Sequence, residues 1–413
     1  MANTLTSLDA ALRYVQKEGM LDLRPASSIV YDMAPMSEAD MLGRNYLQTV
    51  CLSHELGFTF GDGTAFTYND DVAAVYDEIS INPNPVVLKS RLAIEAADRL
   101  IRSDKAAITQ TGLRAVQMKT SILRMAEIEM LHGRTGVGTI SGNPSVNTSP
   151  TPDQATIVFT DATWAPGVWA GMTGALLEAR NGATKVNANG DLTLVSVDHD
   201  AKSIVVSGDN TDLTDLADGH VVYFKGAYSN GQYGIKYQLD TSGSVFGIDS
   251  SVYDLWKAQE HTVSGALTVA QVMAGVAKAT ARGGLDEDCV LLMSTKTMSG
   301  LSSDLAALRE LDGSYSPDKV SVGSKGIVVQ AGSVRVRCVG HPMVMEGDAF
   351  LLPEKGLRKI GSTDITFADS DGREARWQHL EGSHAYQLTC RFSFQVLISE
   401  PAKCVYFKSI TNS

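Results

Sequence analysis

Cysteine is scarce in this chain, and its spacing excludes the usual roles of paired thiols. The five cysteines, at positions 51, 289, 338, 390 and 404, form neither a C-x-x-C pair nor a metal-binding rhythm. Cysteines without such spacing are typical of buried thiols in a reducing compartment. No run of eighteen apolar residues occurs, and residues 1–20 lack the apolar core of a signal peptide. We therefore expect no membrane span and no large cleaved leader, with synthesis in the cytosol.

Motifs of catalysis and of cofactor binding are also missing. The chain has no H-E-x-x-H pair and no G-x-S-x-G elbow, the patterns that place a zinc site or a nucleophilic serine. Gly133–Gly138 lacks the Lys-Ser/Thr of a phosphate loop and follows a helix, so we interpret it as a flexible joint. Asp198–Asp200 and Asp369–Gly372 carry carboxylates, but both patterns are more typical of solvated turns than of metal sites. We expect no enzyme, no metal and no cofactor.

Positive charge is in short supply. Lys and Arg number 35 against 47 Asp and Glu, which gives a net charge of −12. A protein body that grips nucleic acid through phosphate contacts needs dense Lys and Arg, so this class of function is disfavoured. The 413 residues are 44% apolar and 20% charged, which is ordinary for a folded chain of two or three domains.

A local absence of positive charge lies between Arg44 and Lys89, where no Lys or Arg occurs. Apolar residues there fall on even positions, at 50, 52, 56, 58 and 60, and Gly61-Asp62-Gly63 follows them. Alternation by two predicts strands, and the glycines predict a turn, so residues 46–88 are expected to form an extended β-hairpin arm. Fourteen strand residues span roughly 45 Å, whereas a compact globule of this length has a radius of gyration of about 22 Å.

A second elongated element follows the arm. Apolar residues recur every seven positions, at 94, 101, 108, 115 and 122, which predicts a helix from about Ser90 to His132. A helix of about forty residues is roughly 60 Å long. Neither the arm nor this helix can cover its apolar side within one compact subunit. We therefore expect neighbouring copies of the chain to cover them.

Opposite charges on the two elements support that expectation. The arm carries a net charge of −6, and the helical run from Lys89 to Arg134 has nine basic against five acidic residues, a net charge of +4. Such fields suit an arm of one copy lying across the helix of the next, although two independently solvated faces remain the alternative. The candidate interface residues of the arm are Phe58, Phe60, Asp62, Phe66, Tyr68, Asp70, Asp71, Asp77 and Glu78. Those of the helix are Arg99, Arg102, Lys105, Arg114 and Lys119.

The rest of the chain divides into short elements. We expect a helix near residues 5–15, an irregular segment over 19–43, and a β-rich block over 156–262 with a hairpin at 192–207 and strands at 221–224 and 233–239. Helices are predicted to begin at Thr268, ending at Gly283-Gly284, and at Asp304. A buried strand is predicted at 289–293, a hairpin at 327–339, and strands over most of 349–410.

The order of these elements resembles the major capsid proteins of tailed double-stranded DNA phages, which have the α+β Hong Kong 97 fold. The resemblance rests on the hairpin arm, on a long spine helix ending in Met130-Leu131-His132-Gly133-Arg134-Thr135-Gly136-Val137-Gly138, and on the closing segments 386–392 and 400–405. It implies an N-terminal arm at 1–45 and an extended loop at 46–88. A peripheral domain is implied at 89–140 and 340–402, and an axial domain at 141–339 and 403–413 with a β-rich insertion at about 186–262.

The resemblance also implies a function. Such subunits form hexamers and pentamers that close into an icosahedral shell around double-stranded DNA, in a virion assembled in the bacterial host cytoplasm without a membrane. A portal protein and a separate scaffolding protein are implied partners, with a decoration protein in some relatives. The arm has no lysine before Lys89, so the Lys–Asn cross-link of some relatives is not expected through it. An encapsulin-like bacterial compartment shell of the same fold is the alternative, and a soluble enzyme or binding module with an inserted β-domain is a third.

Overall fold

The computed structural model describes residues 28–37, 45–93, 106–310, 327–367, 378–379 and 382–411. The helices are α1 Ile29–Met33, α2 Ala106–Leu131, α3 Pro166–Trp169, α4 Asn210–Thr214, α5 Ala227–Asn230, α6 Ile235–Leu239, α7 Val269–Gly283 and α8 Thr295–Glu310. Short 3₁₀ turns lie at Gly133–Thr135, Asp161–Thr163, Asp254–Trp256 and Pro401–Lys403. In this part of the chain no helix is both long enough and apolar enough to cross a membrane.

Twenty-three strands form five sheets in the described residues. The first twelve are β1 Met36–Ser37, β2 Tyr46–Cys51, β3 Tyr76–Ile81, β4 Val86–Ala93, β5 Gly138–Thr139, β6 Ser145–Asn147, β7 Gln154–Val158, β8 Leu176–Asn181, β9 Thr184–Lys185, β10 Leu192–Asp198, β11 Ser203–Ser207 and β12 Val221–Phe224. The remaining strands are β13 Ser244–Val245, β14 Ile248–Asp249, β15 Gln259–Gly265, β16 Cys289–Met293, β17 Ile327–Ala331, β18 Val334–Gly340, β19 Ala349–Pro353, β20 Leu357–Thr366, β21 Gln378–His379, β22 Ala385–Ile398 and β23 Val405–Ile410.

The long helix α2 packs on a five-stranded sheet. Strand β22, with 14 residues, is its centre: β4 pairs along one side of β22, and β20 and β21 pair along the other. The parallel strand β1 closes the far side of β20. Alternate side chains of β22, among them Leu388, Cys390 and Phe392, are buried in the core that includes α2. This alternation by two is what a strand with one covered face requires.

The sheet that follows the spine helix has eight strands, in the order β5-β12-β8-β10-β11-β7-β6 with β9 on β8. Its core includes Trp164 and Trp169, with the Phe159 ring 5.1 Å from Trp169. The predicted hairpin is confirmed as β10 and β11, paired from Thr193↔Ser207 to Asp198↔Ser203. Strands β10 to β12 pair with β7, β8 and β5, so the residues of the predicted insertion share one sheet with residues outside it.

A six-stranded sheet, in the order β15-β23-β19-β16-β18-β17, closes the fold. Every residue of β16 and β19 is buried, because apolar core covers both faces of these strands. Helix α7 covers one face and has the predicted caps: Thr268 and Gln271 form a capping box, and Gly284 ends the helix with φ 66°. A left-handed residue at this position is a common helix stop, and glycine adopts it without a Cβ clash.

Several local predictions are wrong. The helix predicted from Ser90 begins later, since residues 86–93 form β4, which makes eight pairs with β22. Residues 235–239 form helix α6 instead of a strand, because Gln238 in this turn donates to the carbonyls of Tyr233 and Val396. Asp304 lies inside α8, and its carboxylate accepts from the backbone N–H of Val269 in α7. The segment predicted as irregular contains α1 and β1; the helix predicted near residues 5–15 lies outside the described residues.

The thiols follow the predicted pattern with one exception. All five cysteines are free, and four are buried, but Cys51 is exposed at the end of β2. Burial raises the pKa of Cys390 to about 11 and that of Cys289 and Cys338 to about 12, which keeps these thiols protonated and unreactive.

Candidate assembly surfaces

The predicted arm is a hairpin with an ordered base. Strands β2 and β3 pair in antiparallel register from Tyr46↔Ile81 to Cys51↔Tyr76. Beyond them, Leu56 and Val72 exchange two backbone hydrogen bonds of 2.9 Å, and Leu52 N–H donates to Val75 at 2.8 Å. The chain therefore leaves the body and returns as two adjacent extended segments.

The base is anchored by a separate small core. Leu52, Ile79 and Ile81 are buried there against Phe246 and Trp256, together with other apolar residues of the 245–256 segment. Burying each large aliphatic side chain contributes about 1.5–3 kcal/mol. The N–H of Ser80 also donates to the carbonyl of Phe246 at 3.2 Å. This anchor fixes the direction in which the arm leaves the subunit.

The distal part of the arm has almost no cover. The exposed fraction is 94% for Phe60, 81% for Tyr68 and 72% for Phe58, and Phe66 is half exposed. Isolated exposed apolar residues are common on folded proteins, but a group of aromatic residues on one projecting element marks an interaction site. The predicted apolar positions of the arm are thus brought together, and they are uncovered within one copy.

The tip of the arm is shaped by local contacts. The Asp62 carboxylate accepts from the backbone N–H of Thr64 at 2.9 Å and from its hydroxyl at 2.6 Å, and these hydrogen bonds hold the pKa of Asp62 below its usual range. The Phe66 ring lies against Gly61, where a Cβ would stand 2.3 Å from the ring. Tyr68 contacts Phe66 edge to face, with 5.8 Å between the ring centroids.

The arm's acidic residues have no cationic partner among the described residues. Asp70, Asp71, Asp77 and Glu78 are all exposed, and none of them forms an ion pair there. An exposed pair is worth only about 0–1 kcal/mol, so this says little about the stability of one copy. It leaves the whole negative field of the arm available to another molecule.

The predicted basic surface is only partly described. Arg99, Arg102 and Lys105 lie outside the described residues, and Arg114 belongs to a helical turn described by its backbone alone. Lys119 is exposed on α2, as an interface residue would be. Whether these cations meet an acidic arm therefore stays a prediction.

The second half of α2 carries a group of buried polar residues that the sequence reading missed. The Glu127 carboxylate accepts hydrogen bonds from the backbone N–H groups of Val30 and Tyr31, each 2.8 Å, and from His341 Nε2 at 2.9 Å. The Arg124 guanidinium donates to the carbonyl of Gly167 at 2.6 Å. The spine helix therefore joins the N-terminal segment, the eight-stranded sheet region and the loop that holds His341.

One turn further on, the same helix contacts the 231–234 segment and the loop around Met343. Glu129 accepts from the N–H of Gln232 at 3.1 Å, and burial raises its pKa to about 7. His132 Nε2 lies 2.7 Å from the carbonyl of Met343, and burial lowers its pKa to about 4. This group of buried polar residues could have been recognised in the sequence, because charged residues stand inside the apolar run Met125–His132.

No protein-family model and no curated protein sequence matches the chain. Several solved structures match the chain. Over 99% of each chain, this protein superposes on a capsid structure of cyanophage A-1(L), with a TM-score of 0.56 and 9% identity. Over 100% of this chain and 99% of the other it superposes on the capsid of an empty GTA particle, with a TM-score of 0.50 and 8% identity. Over 98% of this chain and 96% of the other it also superposes on the holo-SrpI encapsulin complex of Synechococcus elongatus PCC 7942, with a TM-score of 0.48 and 7% identity.

These matches identify the class of the fold. A projecting hairpin, a long spine helix on a sheet and a second layered region, matched over the full length, define a capsid-type shell fold. More specifically, the chain has the α+β Hong Kong 97 fold of phage major capsid proteins, as the resemblance implied. At 9% identity the match establishes the fold, and function requires its own argument.

Proposed function

We propose that the protein is a major capsid protein, which self-assembles as hexamers and pentamers into the icosahedral shell that encloses a phage double-stranded DNA genome. The observation that carries this proposal is the arm: its base is buried against residues 245–256, while its distal aromatic side chains are uncovered in a single copy. A projecting hairpin with an anchored base and exposed distal aromatic side chains, on a capsid fold, is the structure expected of a subunit completed by its neighbours.

The charge of the chain supports the same function. A net charge of −12 favours a wall that contains DNA over one that binds it through many phosphate contacts. We propose that the subunit has a structural role without catalysis, that it lies in the virion, and that it assembles in the host cytoplasm with a portal protein and a separate scaffolding protein. The domain division also stays a proposal. It consists of an N-terminal arm at 1–45, an extended loop at 46–88 that is the hairpin arm described above, and peripheral and axial domains with the predicted bounds.

The experiment is to replace Phe58, Phe60 and Phe66 together with serine. We expect loss of shell assembly, measured by sedimentation and electron microscopy, because the apolar contact area on the neighbour is removed. The unassembled subunit should keep its fold and its denaturation midpoint, because these side chains contact little of their own body. In a matched control, serine replaces Val158, Val252 and Val328, which are also exposed but lie outside the arm.

The control variant should assemble as the wild type does. Normal particle yield from the triple phenylalanine variant would contradict the proposal, as would a wild-type protein that stays monomeric under all assembly conditions. Electron microscopy of native particles separates the phage capsid from an encapsulin-like compartment. Packaged DNA, a portal vertex or a tail supports the capsid, whereas a protein cargo in a closed shell supports the compartment.

A further inference from the structure

The eight-stranded sheet closes on itself. Beyond β5, Ile140 forms an antiparallel bridge with Phe159. The N–H of Ser141 donates to the carbonyl of Val158 in β7 at 2.8 Å. Strands β5, β12, β8, β10, β11 and β7 therefore form a small closed barrel. Its buried apolar side chains include Leu177, Leu192, Leu194, Ile204, Val206 and Val222. Side chains fill the interior of a barrel of this size, so a binding site is expected at one of its ends.

One end of this barrel is strongly acidic. The first residue of β7, Gln154, lies opposite Ser207, the last residue of β11, so the segments before β7 and after β11 meet at this end. Helix α4 belongs to the second of these segments. Residues 141–153 and 208–220 together contain five aspartates and no Lys or Arg. Negative charges at this density produce a field that attracts cations.

Asp212, in α4, is buried at this end, and only one of its two carboxylate oxygens has a partner. The residue is 1% exposed. Its Oδ1 accepts a hydrogen bond from the backbone N–H of Asn189 at 3.0 Å. Its Oδ2 is buried and has no hydrogen-bond partner among the described residues. Burying a carboxylate is strongly unfavourable unless a positive charge or several donors satisfy both oxygens, so Oδ2 requires a partner.

The basic residues on and beside β8, β9 and β12 have other partners. Lys225 and Lys185 both contact the Asp191 carboxylate, at 2.5 Å and 3.6 Å. Arg180 contacts the carboxylate two residues before it at 3.0 Å. Asp212 forms no ion pair within the part of the chain that the structure describes. The charge that balances Asp212 therefore has to come from outside these residues, as a proton or as a metal ion.

The turn that packs against Asp212 is rich in oxygen atoms. Residues 187–191 read Asn-Ala-Asn-Gly-Asp. An ideal Cβ added to Gly190 would stand 3.9 Å from Asp212 Oδ2, so this oxygen faces the backbone of the turn. The side chain of Asn189 is exposed, and its amide forms no hydrogen bond to a described residue. Carboxylate, amide and backbone oxygens, together with water, are the ligands of calcium. No group of three or more His, Cys, Asp or Glu side chains converges among the described residues, which disfavours the metals that need such groups.

We propose that Asp212 Oδ2 binds a calcium ion between α4 and the turn at 187–191. The Asn189 amide oxygen, backbone carbonyl groups of the turn and water complete its coordination, and the surrounding aspartates raise the local concentration of calcium. With one carboxylate in direct contact, we expect a Kd of about 10⁻⁴–10⁻³ M. The ion joins two segments 23 residues apart, which is why the sequence alone predicted no metal. This site does not depend on the proposed shell function.

Calcium titration of unassembled full-length subunits tests the site. Isothermal calorimetry should show binding of one calcium ion per chain that the Asp212→Asn variant loses, and about 5 mM CaCl₂ should raise the thermal midpoint of the wild type by at least about 3 °C relative to EGTA. Magnesium should raise it by less than half as much, because Mg²⁺ gives up its water reluctantly. Asp212→Asn keeps an acceptor for the Asn189 N–H and should fold. In EGTA it should melt above the wild type, because it buries no charge, and calcium should leave its midpoint unchanged.

A matched control separates the buried carboxylate from the acidic surface around it. Asp215→Asn removes an exposed aspartate of the same segment, and this variant should bind calcium as the wild type does. Calcium binding that persists in Asp212→Asn assigns the ion to the exposed aspartates and overturns the proposal. A wild-type midpoint that calcium does not change, but that falls as pH rises, shows that Asp212 holds a proton instead and also overturns it. Both results leave the proposed shell function standing.

Discussion

Glu127 and His341 form a hydrogen bond of 2.9 Å between two side chains that are fully buried. The N–H of Met343 donates to His341 Nδ1 at 3.1 Å, so that nitrogen is an acceptor and the proton of the ring lies on Nε2. In this arrangement His341 donates to the Glu127 carboxylate through Nε2. The same carboxylate accepts from Val30 and Tyr31, which ties α1 to the spine helix. A single side chain thus joins three segments that are far apart in the sequence.

The first prediction concerns this carboxylate. Glu127→Ala leaves three donors without their acceptor, and those of Val30 and His341 are buried. A buried unsatisfied donor costs about 1–3 kcal/mol, so we expect the free energy of unfolding to fall by about 2–6 kcal/mol from these two donors alone. Glu127→Gln keeps one carbonyl oxygen and should cost roughly half as much. Denaturant titration of unassembled subunits measures both, and hydrogen exchange over 28–37 should rise in step. An alanine variant within about 1 kcal/mol of wild type would show that Glu127 does not hold α1.

The second prediction concerns Glu129 and pH. Burial raises its pKa from 4.5 to about 7, against the lowering effects of the Gln232 N–H and of Arg134. The folded protein therefore holds this proton more tightly than the unfolded chain does. The resulting stability is fully present below pH 4.5 and is lost as pH rises to about 7. Glu129→Gln cannot titrate, so its stability relative to wild type should rise over this window by on the order of 3 kcal/mol.

Comparison with the glutamine variant isolates this effect. Burial lowers the pKa of His132 to about 4, so His132 destabilises the folded state as pH falls below 6.5, the opposite slope. Both proteins contain His132, and its contribution cancels in the difference. Denaturation midpoints at several pH values between 4.5 and 7.5 supply the measurement. A difference that does not change with pH would mean that Glu129 is ionised throughout.

Much of the fold could be predicted from local patterns. The arm hairpin, the β10–β11 hairpin, helix α7 with both caps and the buried strand β16 each carry a signal inside a short window. In each of these elements propensity, apolar spacing and turn chemistry agree. The exposed aromatic residues of the arm could be predicted for the same reason. Apolar and polar residues keep alternating along the arm, at a distance from the body where the subunit has no strand to cover the apolar side.

Other features depend on contacts that no window contains. The helix is predicted from Ser90 because the apolar residues seven apart begin at Ile94, yet residues 90–93 belong to β4, where pairing with β22 makes them a strand. Residues 235–239 are predicted as a strand, but they form a helix in which Gln238 donates to the carbonyl of Tyr233 and to that of Val396, which lies in β22, 158 residues away. The role of Glu127 is of the same kind, since its partners lie 97 and 214 residues away.

The last prediction concerns the anchor of the arm. Ile79 is buried between the hairpin and the segment containing Phe246 and Trp256, so Ile79→Ala should lower stability by about 2–5 kcal/mol through lost burial and a cavity. If the anchor fixes the direction of the arm, the variant should also show faster hydrogen exchange across β2 and β3 and slower shell assembly, with the tip residues unchanged. Val75→Ala, at an exposed position of the same arm, is the matched control and should affect neither. Unaltered exchange in β2 and β3 together with normal assembly of Ile79→Ala would show that the arm is positioned by its neighbour rather than by its own body.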